Sequence, residues 1–184
     1  MRRSLWRVAL FLSVNALPCG CAHQESAPIP VPPTSESRLL DAVLPAFQRP
    51  TLQGGTFDSA AAAGHLLVVD FFAAYCHPCQ RKLPALEALH RRKPELAIVG
   101  VSLDDTGDAA RKSLARHHLT FPVVHDASNA IAGRFRVTEL PASFVVDRSG
   151  RIAWAGGGDQ PEDALARAAE IALGAPPAAV ASRK

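Results

Sequence analysis

Two cysteines stand three positions apart in DFFAAYCHPC, residues 70 to 79, just after an apolar run. Four chemistries are open to such a pair: a metal clip, a haem anchor, a structural staple or a redox couple. A c-type haem attachment requires histidine directly after the second cysteine, and Gln80 stands there. A structural zinc site requires four ligands. The other two cysteines, Cys19 and Cys21, lie near the N-terminus, and His65, His90, His117, His118 and His125 fall at no ligand spacing. Neither a metal nor another cofactor is therefore expected. A Cys76–Cys79 disulfide serving only as a staple would close so short a loop that little entropy leaves the unfolded chain. The redox couple remains, and Cys-x-x-Cys beside a β-α-β pattern is its signature.

The chemistry assigns different work to the two sulfurs. Cys76 falls where a strand gives way to a helix, so backbone N–H groups and the helix dipole favour its thiolate. That thiolate attacks a substrate disulfide to form a mixed disulfide, which Cys79, one turn on, resolves. Pro78 restricts the loop and keeps the sulfurs close. His77 either stabilises the thiolate when protonated or is an exposed loop ring. Asp70 lies six residues before Cys76 inside an otherwise apolar strand, where a carboxylate is costly without a partner or a task.

The elements that must hold these residues are legible as hydrophobic periods. HLLVVDFFA (65–73), LAIVGVSL (96–103) and ASFVVD (142–147) read as buried strands. FPVVHD (121–126) reads as a short strand, and a turn at Asp147 to Gly150 leads into another at RIAWAG (151–156). Cys79 to Arg92 places Leu83, Leu86 and Leu89 on one face, as an amphipathic helix does. Residues 107–118 and 127–135 read as further helices. PEDALARAAEIAL (161–173) opens on proline and acids, as a helix N-terminus should. Strands alternating with helices imply an α/β fold with helices on the faces of the sheet.

The chain has 184 residues, almost half of them apolar, which fits one domain with tails. Its formal charge of +3 comes from Arg2, Arg3 and Arg7; without them 17 basic and 17 acidic residues balance. No nucleic-acid partner is implied. The start, MRRSLWRVALFLSVNALPCGC, runs from basic to apolar to small residues, as an export signal does, and residues 1–21 are assigned to one. Residues 22–38, rich in Pro, Ser and Glu, read as an extended tether. The domain is expected over 39–173 and a frayed tail over 174–184.

LLVVDFFAAYCHPCQRKLP resembles the active-site segment of thioredoxin-fold proteins, with Tyr75 in place of the usual Trp. LPAFQRPTLQGGTFDSAAAAGHLLVVDFF resembles the N-terminal hairpin of the TlpA/ResA-like exported thioredoxins, whose domain is of the redoxin or AhpC/TSA type. VTELPASFVVDRSGRI resembles their cis-proline strand and the turn after it. The resemblance implies a central mixed β-sheet flanked by helices, an N-terminal β-hairpin and a central αβ insertion over 104–135. It implies that Pro141 is cis, that the backbone at Leu140 faces the substrate, and that Asp70 accepts the proton of the resolving cysteine. The exported subgroup more often has Asn where Asp70 stands. LPCGC resembles a bacterial lipoprotein cleavage box, with Cys21 lipidated; ordinary cleavage after Gly20-Cys21-Ala22, giving a soluble exported protein, is the alternative. Together these imply a thiol–disulfide oxidoreductase of the cell envelope or periplasm, anchored to the membrane by lipid. Its partners would be proteins bearing disulfides or thiols and a membrane electron-donor protein. Asp70 and Pro78 incline it towards a reductant. A peroxiredoxin-like peroxide reductase and a copper-binding chaperone of related fold remain as alternatives.

Overall fold

The apolar runs form the centre of a five-stranded sheet in a computed structural model of the chain, which describes residues 39–161 and 163–174. The export signal, Cys21 and the tether expected over 1–38 lie outside these residues, as does the expected tail beyond Gly174. The strands are β3 (Leu66–Phe72), β4 (Leu96–Ser102), β5 (Val123–His125), β6 (Ala142–Val146) and β7 (Ile152–Gly156). An antiparallel hairpin of β1 (Gln48–Pro50) and β2 (Thr56–Asp58) precedes them, with Gly54 and Gly55 both at positive φ in its turn. The sheet order is β5-β4-β3-β6-β7. β3, β4 and β5 run parallel, whereas β6 pairs antiparallel with both β3 and β7. The sheet is thus mixed, and β3 lies at its centre with every residue buried.

Helices α1 (His77–Arg92), α2 (Gly107–Arg116), α3 (Ala130–Arg134) and α4 (Ala164–Gly174) complete the domain. Alternation along β3 divides the core in two. Leu66, Val68 and Phe72 pack with Leu83, Leu86 and Leu89 of α1 and with Leu165 and Ala169 of α4. Leu67, Val69 and Phe71 face the other way, onto Ile131, Ala132, Phe135 and the entering segment at Leu39 and Phe47. Burying each large side chain contributes about 1.5–3 kcal/mol, so both faces hold β3 firmly. By parity Asp70 belongs to the α1 face, among Val68, Phe72 and the cysteines.

Several boundaries differ from expectation, two of them with a clear local cause. α1 starts at His77 rather than Cys79, because Cys76 caps it. α3 covers Ala130–Arg134 rather than 127–135, since Asn129 and Arg136 adopt left-handed backbone on either side.

Candidate active site

Cys76 joins β3 to α1. Its N–H donates to the Ala73 carbonyl at 3.2 Å, and its backbone is extended, the conformation of a helix N-cap. The Cys79 N–H donates to Cys76 Sγ at 3.2 Å, so the sulfur occupies the position in which Ser or Asp oxygens usually cap. Pro78 sits in the first turn, where a missing N–H leaves nothing unsatisfied. No acid lies in that turn, while His90, Arg91 and Arg92 end the helix, leaving the dipole's positive end uncompensated beside the sulfur. Cys76 and Cys79 form a disulfide with Cα atoms 5.2 Å apart. Cys79 is wholly buried and Cys76 is 8 % exposed, so attack from solvent reaches Cys76 first.

A groove of about 700 Å³ opens beside Cys76, and Tyr75, His77, Pro78, Glu139 and Leu140 line it with the cysteine. Tyr75 is 68 % exposed. The Leu140–Pro141 peptide is cis. Pro141 meets Pro78 across a smaller cleft, about 80 Å³, on the other side of the loop. There Gly158 approaches so closely that a Cβ on it would lie 3.2 Å from Pro141 Cδ. The fold therefore gathers Tyr75, Cys76, His77, Pro78, Leu140 and Pro141 around the cysteine pair.

Asp70 is fully buried, and it has partners that the sequence does not reveal. Its Oδ1 accepts from Lys82 Nζ at 2.5 Å and from Ser143 Oγ at 2.7 Å. Lys82 also donates to Ser143 Oγ at 2.7 Å, closing a triangle. Oδ2 is buried with no hydrogen-bond partner. Lys82 lies three residues beyond Cys79, one turn along the same face of α1; that spacing was the available signal. Ser143 stands directly opposite Asp70 in the β3–β6 register.

Two further residues secure the loop. Asp104, buried after β4, accepts from the Ala74 N–H and from Ser102 Oγ, each at 2.8 Å. Gln80 donates to the Ala73 carbonyl at 2.9 Å and accepts from the His117 ring at 2.9 Å. Burial foremost, then the neighbouring charges of Arg116 and His118, lowers the pKa of His117, favouring the neutral ring. Among the described residues no group of three or more His, Cys, Asp and Glu side chains is arranged to hold a metal ion.

A mixed sheet flanked by helices, with Cys-x-x-Cys at the N-terminus of α1 facing a cis-proline, defines a thioredoxin-like protein with a disulfide-forming site. The chain belongs to the AhpC/TSA family, whose model matches residues 40–155. It is 27 % identical over 110 residues to a thiol-disulfide oxidoreductase ResA of Bacillus cereus, a match covering 59 % of this chain and 64 % of that one. The chain thus spans less than two thirds of that relative's length. A crystal structure of a putative thiol:disulfide interchange protein DsbE from Chlorobium tepidum superposes with a TM-score of 0.67 at 27 % identity, covering 72 % of this chain and 96 % of that one. The structure of MTB dsbF matches with a TM-score of 0.63 at 28 % identity, covering 68 % and 93 %.

Proposed function

We propose that the chain is a thiol–disulfide oxidoreductase that reduces protein disulfides in the cell envelope. The observation that carries this reading is the position of Cys76: it caps α1, borders an open groove and is bonded to a wholly buried Cys79. In the reduced protein the Cys79 N–H and the helix dipole favour negative charge on Cys76 Sγ. The Cys76 thiolate attacks one sulfur of a substrate disulfide, forms a mixed disulfide and expels a substrate thiolate, which takes a proton from water. Cys79 then loses its proton to a base, for which Asp70 is the candidate, and attacks Cys76 Sγ. The internal disulfide closes, and the second substrate thiolate leaves and is protonated. Two electrons pass from protein to substrate. An electron donor must then reduce Cys76–Cys79, and a membrane electron-donor protein fits an exported chain. The cis Leu140–Pro141 segment, beside both groove and cleft, presents Leu140 backbone to the substrate strand. Export, and a lipid anchor at Cys21, rest on the N-terminal sequence alone.

The direction follows from magnitude. A protonated His77 would stabilise the Cys76 thiolate and so favour oxidation of substrates. Thioredoxin at about −270 mV and DsbA at about −120 mV differ by roughly 7 kcal/mol for two electrons. An exposed charge pair supplies only up to about 1 kcal/mol, and His77 is exposed. The reducing assignment therefore stands. Equilibration with glutathione buffers, read as the ratio of thiol to disulfide, tests it. The expected potential lies nearer about −270 mV, and a value above about −180 mV overturns the direction. Turnover of insulin disulfides tests the activity itself: no turnover, with fast reduction of hydrogen peroxide instead, would replace it with the peroxide-reductase reading.

A further inference from the structure

The peptide group between Ala73 and Ala74 sets where Cys76 begins its helix. Its carbonyl accepts from the Cys76 N–H at 3.2 Å and from Gln80 Nε2 at 2.9 Å. Its N–H donates to Asp104 Oδ1 at 2.8 Å. The turn from β3 into α1 is thus gripped on both sides of one peptide plane, and turning that plane over would aim the carbonyl at the Asp104 carboxylate. Gln80 holds the turn a second time, since its own N–H donates to the Cys76 carbonyl at 3.0 Å. A primary amide keeps one orientation only when both its ends are engaged. Nε2 of Gln80 is committed to Ala73, so Oε1 must accept, and it meets the His117 ring at 2.9 Å and Ser113 Oγ at 3.4 Å. Oε1 has no hydrogen to give, which places the His117 hydrogen on Nε2. Asp104, Ser113 and His117 all belong to the stretch 104–117 that carries α2, so one segment supplies both grips.

Resting on the oxidoreductase reading, we propose that His117 is a positioning residue for the Cys76 nucleophile. Its Nε2 hydrogen orients the Gln80 amide, the amide holds the Ala73 carbonyl, and that carbonyl holds the Cys76 N–H. Cys76 Sγ is thereby kept beside the Cys79 N–H, which donates to it at 3.2 Å, and at the positive end of α1, where its thiolate is favoured. Without the ring the amide turns, its grip on Ala73 loosens, and the sulfur caps the helix less of the time. Burial foremost, then Arg116 and His118, lowers the His117 pKa, so at neutral pH the ring acts through a hydrogen rather than a charge. An uncharged donor of similar reach therefore replaces it.

The other titratable and charged groups around the two ends of this chain of bonds stay in place when His117 is changed. Around Cys76 they are Tyr75 and His77 in its own loop, with Asp105 and Glu139 across the groove. Asp104 lies against the turn, and Asp70 with Lys82 lies on the α1 face of β3. Around His117 they are Arg116 and His118. A change in the titration of Cys76 between variants therefore reports the path through Gln80.

The test uses single turnovers of the full chain carrying Cys19→Ser and Cys21→Ser, reduced and mixed with dithiobis(nitrobenzoate). The Cys76 thiolate attacks the reagent disulfide and expels the first nitrobenzoate thiolate; Cys79 then attacks Cys76 Sγ and expels the second. The pH midpoint of the first phase reports formation of the Cys76 thiolate. In His117→Leu that midpoint rises by about half to one unit, leaving about 3- to 10-fold less thiolate at pH values below it. His117→Gln, whose amide N–H reaches about as far as Nε2, restores the parent profile. With Gln80→Leu as background, His117→Leu produces no further shift. An unchanged midpoint, a first phase slowed equally at every pH, a His117→Gln profile no better than that of His117→Leu, or the same shift in the Gln80→Leu background overturns the proposal. A parent chain that releases a single thiolate overturns the oxidoreductase reading and the proposal with it, whereas a parent that releases both, with a midpoint indifferent to His117, overturns the proposal alone. Should His117→Leu not fold, His117→Asn and His117→Gln, alike in polarity and different in reach, make the same comparison, and equal midpoints in those two overturn it.

Discussion

Replacing Asp104 by Ala is expected to loosen the approach to Cys76 before it harms anything else. The carboxylate is 2 % exposed and holds two donors at 2.8 Å, the Ala74 N–H and Ser102 Oγ. Hydrogen bonds to a charged acceptor contribute about 1.5–3 kcal/mol each. Part of that is returned when the charge is no longer kept from water, so the net loss should be about 2–4 kcal/mol. With a urea m-value of about 2 kcal/mol/M, the midpoint of unfolding falls by about 1–2 M at unchanged slope. Asp104→Asn keeps an acceptor for Ala74 and should lose about half as much. The His125 ring bonds the Asp104 carbonyl at 2.7 Å, a contact both variants retain, so the loop is loosened rather than released. Urea unfolding followed by circular dichroism gives the stability, and the first nitrobenzoate phase gives the Cys76 attack rate, which should fall with it. A midpoint shift below about 0.3 M would mean that Asp104 does not anchor this loop.

Cys76 should be alkylated faster than Cys79 at neutral pH in single-cysteine variants, because it caps α1 and borders the groove; faster alkylation of Cys79 would reverse the roles assigned to them. Glu87 bonds the Thr120 N–H and hydroxyl and Arg91. Burial raises its pKa, but these bonds outweigh it and hold the group below its usual value. Its contribution is therefore present above the ordinary carboxylate range and is lost as pH falls through the lowered folded value. Glu87→Gln should cost about 1–3 kcal/mol at pH 7 and flatten the acid limb of a stability–pH profile; an unchanged acid limb would show that Glu87 is not the group responsible. Gly100→Ala would place a Cβ 3.0 Å from Phe72 and 3.1 Å from Phe121 ring atoms, which should cost about 1–3 kcal/mol; a thermal midpoint equal to the parent's would show that those rings yield.

What the sequence made legible was whatever local pattern controls. β3, β4 and β6 came within one or two residues of their observed ends because each is a continuous apolar run, which only a strand buried on both faces requires. Cys76 and Cys79 were legible by spacing, and Pro141 by the resemblance of its flanks. The Asp70 partners were not legible. Lys82 and Ser143 lie 12 and 61 or more residues from their partners in the triangle, and no short-range period signals such a contact. A lysine on an amphipathic helix reads as a solvated face residue until the register of β6 places a hydroxyl opposite Asp70. Asp104 was missed for the same reason: its task is defined by Ala74, 30 residues away.

On the proposed mechanism, the two cavities would divide the work of the site. On one side of Pro78 the groove holds Cys76, Tyr75 and Leu140, where sulfur exchange with a polypeptide needs access. On the other side the cleft holds Lys82 and Pro141, with the carboxylate sealed behind it. A substrate seated in the groove excludes water from Cys76, yet resolution still has to move a proton off the buried Cys79. On that mechanism, a second opening on the far side of the loop would meet that need without breaking the substrate contact. Substitutions lining the groove should therefore act on the first nitrobenzoate phase, and those lining the cleft on the second. Tyr75→Ala and Ser143→Ala form the simplest such pair. Tyr75 is mostly exposed and lines the groove, whereas Ser143 lines the cleft and donates to Asp70 Oδ1. If each slows its own phase, exchange and proton transfer are separate processes in this fold; if both slow the same phase, the cavities act as one site.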